Sequence, residues 1–238
     1  MYENVQSGRG RDQGGSVAEV VSENGGGRPR LTRERVIQAA LSVADSGGLG
    51  SLTIRSLAKE LGAKPMSVYY HVASKDEILA ALVDIVFNEI QLPVPGGDWR
   101  AEMRKRASSA REVLGRHRWA IGLLESRTNP GPATMRHHDA NLATFRAGGF
   151  SIELTAHAYA LVDSYVYGFA LQEAALPFQG PDRDGDVVES IMKGMTEGEY
   201  PHLVNMATSY YLQPGYDFGD EFDFGLDLVL DGIERMLA

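Results

Sequence analysis

The chain has 238 residues, of which 43% are hydrophobic, so it can bury one substantial core or two smaller ones. It contains no cysteine, which excludes a disulfide scaffold and thiol chemistry and fits a reducing, cytoplasmic setting. Its formal net charge of −9 argues against nucleic acid as a partner for the chain as a whole.

The composition changes along the chain. Residues 1–29 are rich in glycine, serine and charge and lack hydrophobic periodicity, so we expect a disordered tail without a secretory signal. Hydrophobic periodicity begins after them and predicts one helical domain over 30–92 and a second, larger one over 93–238.

The first domain opens with two helices. Thr32 is a suitable N-cap for the first, which carries apolar residues at helical spacing and is expected to stop at the sequence DSGGLG, residues 45–50. Thr53 is the predicted N-cap of the second helix, which should end at Gly62 because glycine readily closes a helix.

Two more helices complete this domain. Pro65 suits the first turn of a third helix, where a missing N–H costs little. That helix must be short, since Ser74 and Glu77 have the spacing of a capping box that starts a fourth helix. The fourth helix should run to about Gln91, and the sequence LPVPGG, residues 92–97, marks the domain boundary.

The remainder also reads as helical, because proline and glycine punctuate apolar segments and no run alternates with period two. We predict an all-α fold with further helices near 98–115, 117–125, 132–147, 151–176, 187–195, 200–211 and 219–237. Residues 177–186 are expected to form a polar loop. The longest apolar stretch, 156–171, contains Asp163 and is too short to cross a bilayer, so no membrane partner is expected.

Charge is distributed unevenly. Between Arg28 and Lys75 the chain has eight positive residues against three negative ones, so a basic module lies inside an acidic chain. The third helix directs polar and aromatic side chains outward, namely Lys64, Ser67, Tyr69, Tyr70 and His71. A helix, a tight glycine-containing turn and a short exposed helix form the helix-turn-helix arrangement, whose second helix lies in the DNA major groove.

The sequence LTIRSLAKELGAKPMSVYYHVASKDEIL, residues 52–79, resembles the DNA-binding domain of TetR-type transcriptional repressors. The shared pattern consists of Leu52-Thr53, Leu57-Ala58, Leu61-Gly62, Tyr69, His71-Val72 and Lys75. The segments HRWAIGLLESRTNPGP, GGFSIELTAHAYALVDSYVYGFALQE and FDFGLDLVLDGIERML are similar in order and spacing to the regulatory domain of the tetracycline-repressor subgroup.

This resemblance implies a set of DNA contacts at Arg55, Lys64, Pro65, Met66, Ser67, Tyr69, Tyr70, His71 and Lys75. Arg55 and Lys64 are the candidates for base contact, since both can reach guanine acceptors. Tyr69, Tyr70 and Lys75 are expected to bind phosphates, although one tyrosine could equally be a packing residue. The proline lies one place earlier than in the tetracycline repressor, so the operator sequence does not carry over.

The resemblance also implies a regulatory domain that dimerises through a four-helix bundle and encloses a small-molecule pocket. The best bundle candidates are 151–176 and 219–237, which are apolar and contain small residues; they could instead form the core of a monomer. The implied ligand-facing positions are Asn141, His157, Leu161, Ser164, Tyr165 and Gln172, each of which could instead be structural.

Tetracycline repressors hold a magnesium ion with a histidine, and that position falls on Leu124 here, while the expected glutamate is Gln172. We therefore expect no metal or other cofactor and a mostly apolar inducer. The sequence His137-His138-Asp139 could suggest a metal site, but adjacent helical residues point apart, and a solvated face is expected.

The predicted function is that of a homodimeric repressor that binds a palindromic operator in double-stranded DNA and is released by a small-molecule inducer other than magnesium–tetracycline. No enzymatic activity is expected. Two alternatives stay open: a helical small-molecule-binding protein or enzyme with a vestigial DNA-binding module, and an activator of the same family. The tail could touch DNA or have no role.

Overall fold

The computed structural model describes residues 30–124, 130–176, 193–194 and 200–237, and the regular structure in these ranges is helical, as predicted. The helices are α1 (Arg33–Ser51), α2 (Ile54–Glu60), α3 (Pro65–Tyr69), α4 (Lys75–Glu89), α5 (Trp99–Arg116), α6 (Pro132–Ala147), α7 (Ile152–Ala175), α8 (Pro201–Met206) and α9 (Glu221–Glu234). Short 3-10 turns cover Arg118–Leu123 and Phe218–Asp220, and a π turn covers Ala207–Tyr211.

Six of the predicted later segments contain an observed helix or turn, and their ends differ by only a few residues. The tail 1–29, the loop 177–186 and most of the predicted helix 187–195 lie outside the described residues. Within the described ranges, no helix is both long enough and apolar enough to span a bilayer.

α1 begins where predicted and breaks within the predicted segment, with one further turn beyond the break. The Thr32 hydroxyl accepts a hydrogen bond from the Arg35 N–H at 3.3 Å and caps the helix. The regular helix breaks at Gly48, inside the predicted stop DSGGLG, and a short further turn reaches Ser51, whose hydroxyl donates to the Gly47 carbonyl at 2.7 Å. The break is a kink at Gly48, which has φ 68° and ψ 178°, a conformation that costs a side-chain-bearing residue energy.

The turn between α2 and α3 is closed by local hydrogen bonds. Thr53 and Ser56 form a capping box, with the Ser56 N–H donating to Thr53 Oγ1 at 3.1 Å and the Thr53 N–H donating to Ser56 Oγ at 2.9 Å. At the other end, Gly62 has φ 60° and the Ala63 N–H donates to the Ala58 carbonyl at 2.8 Å. This pattern is a glycine C-cap, which lets α3 start only three residues later.

The predicted capping box at α4 is only half formed. Ser74 Oγ accepts from the Glu77 N–H at 3.1 Å, but the Glu77 carboxylate accepts from the Ala73 N–H at 2.8 Å rather than from Ser74. The other Glu77 oxygen accepts from Arg33 Nε at 2.8 Å. These hydrogen bonds, with that from Ala73 the largest cause, hold the pKa of Glu77 below its usual value. Glu77 therefore joins α4 to α1.

Two hydrophobic clusters form within Leu31–Ala238, which is one compact unit. The N-terminal cluster buries side chains of all four first helices, among them Val36, Ile37, Leu57, Val68, Ile78 and Leu82. The larger cluster is built from α4–α7 and α9 and includes Phe87, Met103, Leu114, Phe145, Phe150, Val166 and Leu226. Each such side chain contributes roughly 1.5–3 kcal/mol when fully buried.

The 3-10 turn after α5 joins the two clusters. Trp119 and Leu123 pack against both of them. Trp119 Nε1 donates to the Asp45 carboxylate of α1 at 2.7 Å. The buried His117 has its Nδ1 2.7 Å from Asp45 Oδ1 and its Nε2 3.3 Å from both Glu89 carboxylate oxygens, so it links α1 and α4 to the end of α5.

Candidate DNA-binding surface and regulatory core

α3 presents most of its side chains to solvent. Met66 is 67% exposed, Tyr69 53% and Tyr70 85%. Lys64 and Pro65, at the start of the helix, are exposed as well. Large apolar and aromatic side chains that face water do not stabilise the core, and α3 is only five residues long. Their exposure together therefore indicates a surface that contacts a partner.

The same helix is anchored from beneath. Val68 is fully buried, and Val72 just after the helix is 2% exposed. Because Val68 points into the N-terminal cluster, its neighbours in α3 are forced outward. The exposure of both Tyr69 and Tyr70 disfavours the alternative that one of them is a packing residue.

The other expected DNA contacts flank α3. Arg55 is exposed in the first turn of α2, and Lys75 is exposed as the first residue of α4. Ser67 and His71 are half-buried. The nine residues thus lie on three consecutive elements, and α2 and α4 each present a capped N terminus, where free N–H groups and the helix dipole favour phosphate. Their roles in DNA binding stay predictions.

The expected ligand positions do not converge within one chain. Asn141 is fully buried on α6. Tyr165 is half-buried, and its hydroxyl donates to the Phe222 carbonyl of α9 at 2.8 Å. The other four lie on the solvent-exposed face of α7, namely His157, Leu161, Ser164 and Gln172.

A polar cluster that the sequence reasoning missed lies between α5, α6 and α7. Arg106 is fully buried, and its Nη1 lies 2.6 Å from Oδ1 of Asp163, which is 7% exposed. Arg106 Nε donates to His137 Nε2 at 3.1 Å, and Nη2 donates to the Tyr167 hydroxyl at 3.4 Å. Asn141 Nδ2 donates to the His137 carbonyl at 2.8 Å. A charged pair and two polar side chains therefore occupy the centre of the regulatory half.

His137 is neutral in this cluster. Burial, followed by the positive charge of Arg106, lowers its pKa from 6.5 to about 2. Burial alone would lower the pKa of Arg106, but the Asp163 carboxylate and Tyr167 outweigh it and raise that pKa, so Arg106 stays charged. The expectation of a solvated His137 face was wrong, because only Asp139 is exposed and His137 is fully buried.

Helical phase could have revealed this cluster. Arg106 falls in register with the buried residues Met103, Ala107 and Ala110 of α5. Asp163 likewise follows the buried phase of α7, and His137 that of α6. A charged residue in phase with an apolar stripe signals a buried polar contact, and sequence reasoning used Asp163 only to exclude a membrane span.

The positions that correspond to the metal ligands of tetracycline repressors hold an apolar and an amide side chain. Leu124 is 3% exposed and packs in the larger cluster, and Gln172 is exposed. In the part of the chain that the structure describes, no group of three histidine, aspartate or glutamate side chains could hold a metal ion.

Family models match both halves of the chain. Residues 36–82 match the model described as bacterial regulatory proteins, tetR family. Residues 92–237, more than half of the chain, match the model of the tetracyclin repressor-like C-terminal domain. The chain belongs to the TetR family of transcriptional regulators. The helix-turn-helix prediction and the recognised family are thereby confirmed.

Relatives of this TetR-family regulator carry regulatory names. It is 32% identical over 224 residues to the HTH-type transcriptional repressor DrrR1 of Streptomyces coeruleorubidus, covering 90% of this chain and 81% of that one. It is also 32% identical over 212 residues to the class D tetracycline repressor protein of Escherichia coli, covering 88% and 92% of the two chains. These names are those of transcriptional regulators rather than enzymes.

A solved structure shares the fold along most of this TetR-family regulator. The Streptomyces coelicolor TetR family protein ActR, in complex with actinorhodin, superposes with a TM-score of 0.70 at 28% identity, covering 88% of this chain and 99% of that one. The likeness spans both the helix-turn-helix and the regulatory helices.

Proposed function

We propose that this TetR-family regulator is a homodimeric repressor whose two copies bind the half-sites of a palindromic operator, and that a small-molecule inducer releases it. The observation that carries the proposal is the outward face of α3, with Met66, Tyr69 and Tyr70 exposed above the buried Val68. A helix of this kind fits a major groove, because its polar and aromatic tips can reach phosphates and base edges without disturbing the core.

Within this surface we assign roles by chemistry. Arg55 and Lys64 read bases, since both can donate to guanine acceptors. Tyr69, Tyr70 and Lys75 bind phosphate oxygens. The remaining expected contacts shape the fit to the groove and comprise Pro65, Met66, Ser67 and His71.

Exposed apolar side chains support association with a second copy. Leu161 and Leu171 of α7 are 55% and 59% exposed, and Phe224 and Leu228 of α9 are 66% and 59% exposed. In a monomer these four residues would expose apolar surface to water, which is unfavourable. Packing them against the same helices of a second copy buries that surface.

Asp227 and Asp231 of α9 leave this face free, because they pair with arginines of α5. Asp231 lies 2.5 Å from Arg100, and Asp227 lies 3.2 Å from it and also contacts Arg104. In a dimer built on the apolar face, the exposed positions His157, Leu161, Ser164 and Gln172 of α7 turn toward the partner. Gly225 does not serve close approach of helices there, since a Cβ atom would lie 2.3 Å from the Tyr165 hydroxyl of the same chain.

The inducer binds in the regulatory half. ActR, which shares the fold, is seen in complex with actinorhodin and with (S)-DNPA. We propose an inducer with a largely apolar body that needs no metal, because Leu124 cannot ligate one and Gln172 supplies only an uncharged amide.

Inducer and DNA are coupled through α4 and the turn after α5. Asp84 of α4 accepts from the Thr134 N–H of α6 at 2.8 Å, so α4 is bound to the regulatory helices. His117 and Trp119 bind Asp45 of α1 at the same junction. A ligand that favours one arrangement of these contacts changes DNA affinity by its differential binding energy, typically about 1–3 kcal/mol.

The test uses the full chain and a labelled duplex from the DNA that flanks its gene, followed by fluorescence anisotropy at increasing salt. We expect saturable binding as a dimer whose affinity falls steeply with salt, since bound phosphates release their counterions. A scrambled duplex of the same length should bind more weakly by at least about a thousandfold, the lower end for specific sites. Equal affinity for both duplexes, or no binding at low salt, contradicts the proposal.

A further inference from the structure

An open groove crosses the junction between the two halves of the chain. Its volume is about 740 Å³, within the usual range of roughly 300–1,000 Å³ for small-molecule sites. Its walls are the end of α1, the end of α5 with the following 3-10 turn, and the last turns of α7. The groove is separate from the α3 surface and from the buried polar cluster, since none of their residues lines it.

The middle of the groove lacks large side chains. Gly48 of α1 and Gly115 of α5 line it, and a Cβ atom built at either glycine would meet no atom within 4 Å. Ala174 and Ala175 of α7 add only methyl groups. No neighbouring atom excludes a side chain at Gly115, so packing within the chain does not explain the glycine there. The space above it is wide enough for a flat molecule.

Trp119 supplies an aromatic surface at the groove. Its indole lines the groove and is half-buried. Its Nε1 donates to the Asp45 carboxylate at 2.7 Å, which fixes the orientation of the ring. Leu49 and Leu171 add apolar contacts on either side. Because aromatic rings stack favourably against each other, a fixed indole beside bare backbone fits an aromatic ligand.

The charges that line the groove do not cancel. Asp45 is engaged by Trp119, and Arg116 Nη2 lies 2.7 Å from Glu89 Oε2. The third charged lining residue, Arg118, is exposed and has neither an ion pair nor a side-chain hydrogen bond within the described ranges. The charge left over is therefore positive, and it complements an anion.

We propose that this groove binds a flat aromatic anion, which stacks on Trp119, pairs with Arg118 and holds the end of α1 against α5 and α7. Ala44 of the groove lies roughly 17 Å along α1 from Arg33, which binds Glu77 at the start of α4. The ligand therefore does not compete with DNA for α3. It changes DNA affinity by favouring one position of α1 relative to the regulatory helices. The groove is a second ligand site, and it does not depend on where the inducer binds.

The probe is naphthalene-2-sulfonate, followed through the indole N–H signals in nitrogen-15 NMR spectra of the full chain. Trp119 reports on the groove. Trp99, the first residue of α5, lies roughly 24 Å along that helix from Gly115 and is the internal control. We expect the Trp119 signal to shift saturably while the Trp99 signal, assigned with Trp99→Phe, stays in place. No shift at Trp119, or equal shifts of both signals, overturns the proposal.

An uncharged analogue tests the role of Arg118. Methyl 2-naphthyl sulfone keeps the rings and two sulfur-bound oxygens but carries no charge. The sulfonate should bind roughly threefold more tightly at low salt, the size expected of an exposed ion pair. In Arg118→Gln the two compounds should bind alike. Equal affinity in wild type, or a preference that persists in Arg118→Gln, refutes the choice of an anion.

A filled groove tests the location. Gly115→Leu places a side chain in the open space and should weaken both compounds at least tenfold. Gly122→Leu is the matched control, because Gly122 also has no atom within 4 Å of a Cβ position but does not line the groove. The control should bind both compounds as wild type does. If Gly115→Leu folds poorly, Ala175→Leu serves as a second variant with the same expected loss, and full binding by a folded filled variant contradicts the assignment.

The dimer provides a further check, since Leu171 borders both the groove and the proposed dimer face. Leu228→Arg is designed to give a monomer, and it should bind the sulfonate with the affinity of wild type. Binding by the monomer alone would show that the second copy covers the groove, which would end the proposal.

DNA affinity is measured separately, by anisotropy with and without saturating sulfonate. The Kd for the operator duplex should change at least fivefold in wild type, the low end for coupled sites, and stay constant in Gly115→Leu. A constant Kd in wild type refutes the action on α1. A protein that binds the sulfonate at Trp119 but binds no duplex refutes the repressor function and leaves the groove assignment standing.

Discussion

Asp84 Oδ1 accepts hydrogen bonds from both the backbone N–H and the hydroxyl of Thr134, at 2.8 and 3.1 Å, so a side chain of α4 caps the N terminus of α6. The residue before α6 is Gly131, which has no side chain to cap with. A Cβ atom at Gly131 would lie 2.3 Å from the Asp84 carboxylate carbon. Glycine is therefore needed there for the carboxylate to approach, and the capping group comes from another helix.

Asp84→Ala should lower the free energy of unfolding by roughly 1–2 kcal/mol, as for the loss of a helix cap, and should also change DNA affinity, because α4 loses its bond to α6. Asp98→Ala is the matched control. Asp98 caps α5 from the preceding residue, accepting from the Arg100 N–H at 3.0 Å, and joins no second helix. Urea unfolding and anisotropy of both variants test this. If both lose stability but bind DNA like wild type, Asp84 is a cap and nothing more.

The assignment of the α3 surface predicts two kinds of loss in DNA binding. Lys75→Ala should weaken binding to all duplexes alike and reduce the slope of log affinity against log salt by about one, since one phosphate contact is removed. Lys64→Ala or Arg55→Ala should relax sequence preference at the bases they read, by about 1–3 kcal/mol. Lys105→Ala, at an exposed site on α5 where the lysine pairs with Glu102 of the same helix, is the control and should bind as wild type does. Unchanged affinity and specificity in all three test variants would show that α3 does not face the groove.

The exposed face of α7 and α9 predicts a dimer that one charge can disrupt. Leu228→Arg should give a monomer in analytical ultracentrifugation at micromolar concentration, because a buried arginine without a partner is costly. Affinity for the palindromic duplex should fall accordingly. Val94→Arg places the same charge at a 61% exposed site between α4 and α5 and should remain dimeric. If Leu228→Arg remains dimeric, the dimer interface does not include this face of α9.

The low pKa of His137 predicts acid sensitivity. Its folded-state pKa of about 2 lies below the ordinary value of 6.5, so below pH 6.5 the unfolded chain binds a proton that the folded chain does not. Stability is therefore lost as pH falls from 6.5, by up to about 1.4 kcal/mol per pH unit and about 2 kcal/mol by pH 4.5. The loss is measured by chemical unfolding of wild type and of His137→Gln at pH 6.5 and at pH 4.5. Between these pH values the free energy of unfolding of His137→Gln should fall by about 2 kcal/mol less than that of wild type. Equal falls in the two proteins would mean that His137 is not buried and neutral.

Local signals predicted most helix boundaries of the N-terminal half. Thr32, Thr53 and Ser74 act as caps because each hydroxyl bonds an N–H only three residues away. Such contacts depend on a few consecutive residues, and sequence order specifies them. The glycines after α1 likewise mark the break at Gly48, but the short turn that follows to Ser51 could not be read from them.

The contacts that sequence did not predict join residues far apart in the chain. Glu77 binds Arg33 and the Ala73 N–H instead of closing its capping box. Arg106 and Asp163 meet only because α5 packs against α7, so their pairing depends on tertiary packing rather than on local pattern. The exposed recognition helix was predictable, since its outward side chains and its buried Val68 follow from one short helical period.

The position of Trp119 makes it an intrinsic fluorescence probe of the contact between the two hydrophobic clusters. The chain has two tryptophans. Trp99 makes an edge-to-face contact with Phe150, with ring centroids 4.9 Å apart. The indole of Trp119 instead contacts both hydrophobic clusters and donates a hydrogen bond to Asp45. With Trp99 replaced by phenylalanine, the wavelength of maximum fluorescence emission of Trp119 should follow the motion of α1 against the regulatory helices in real time, without any added dye.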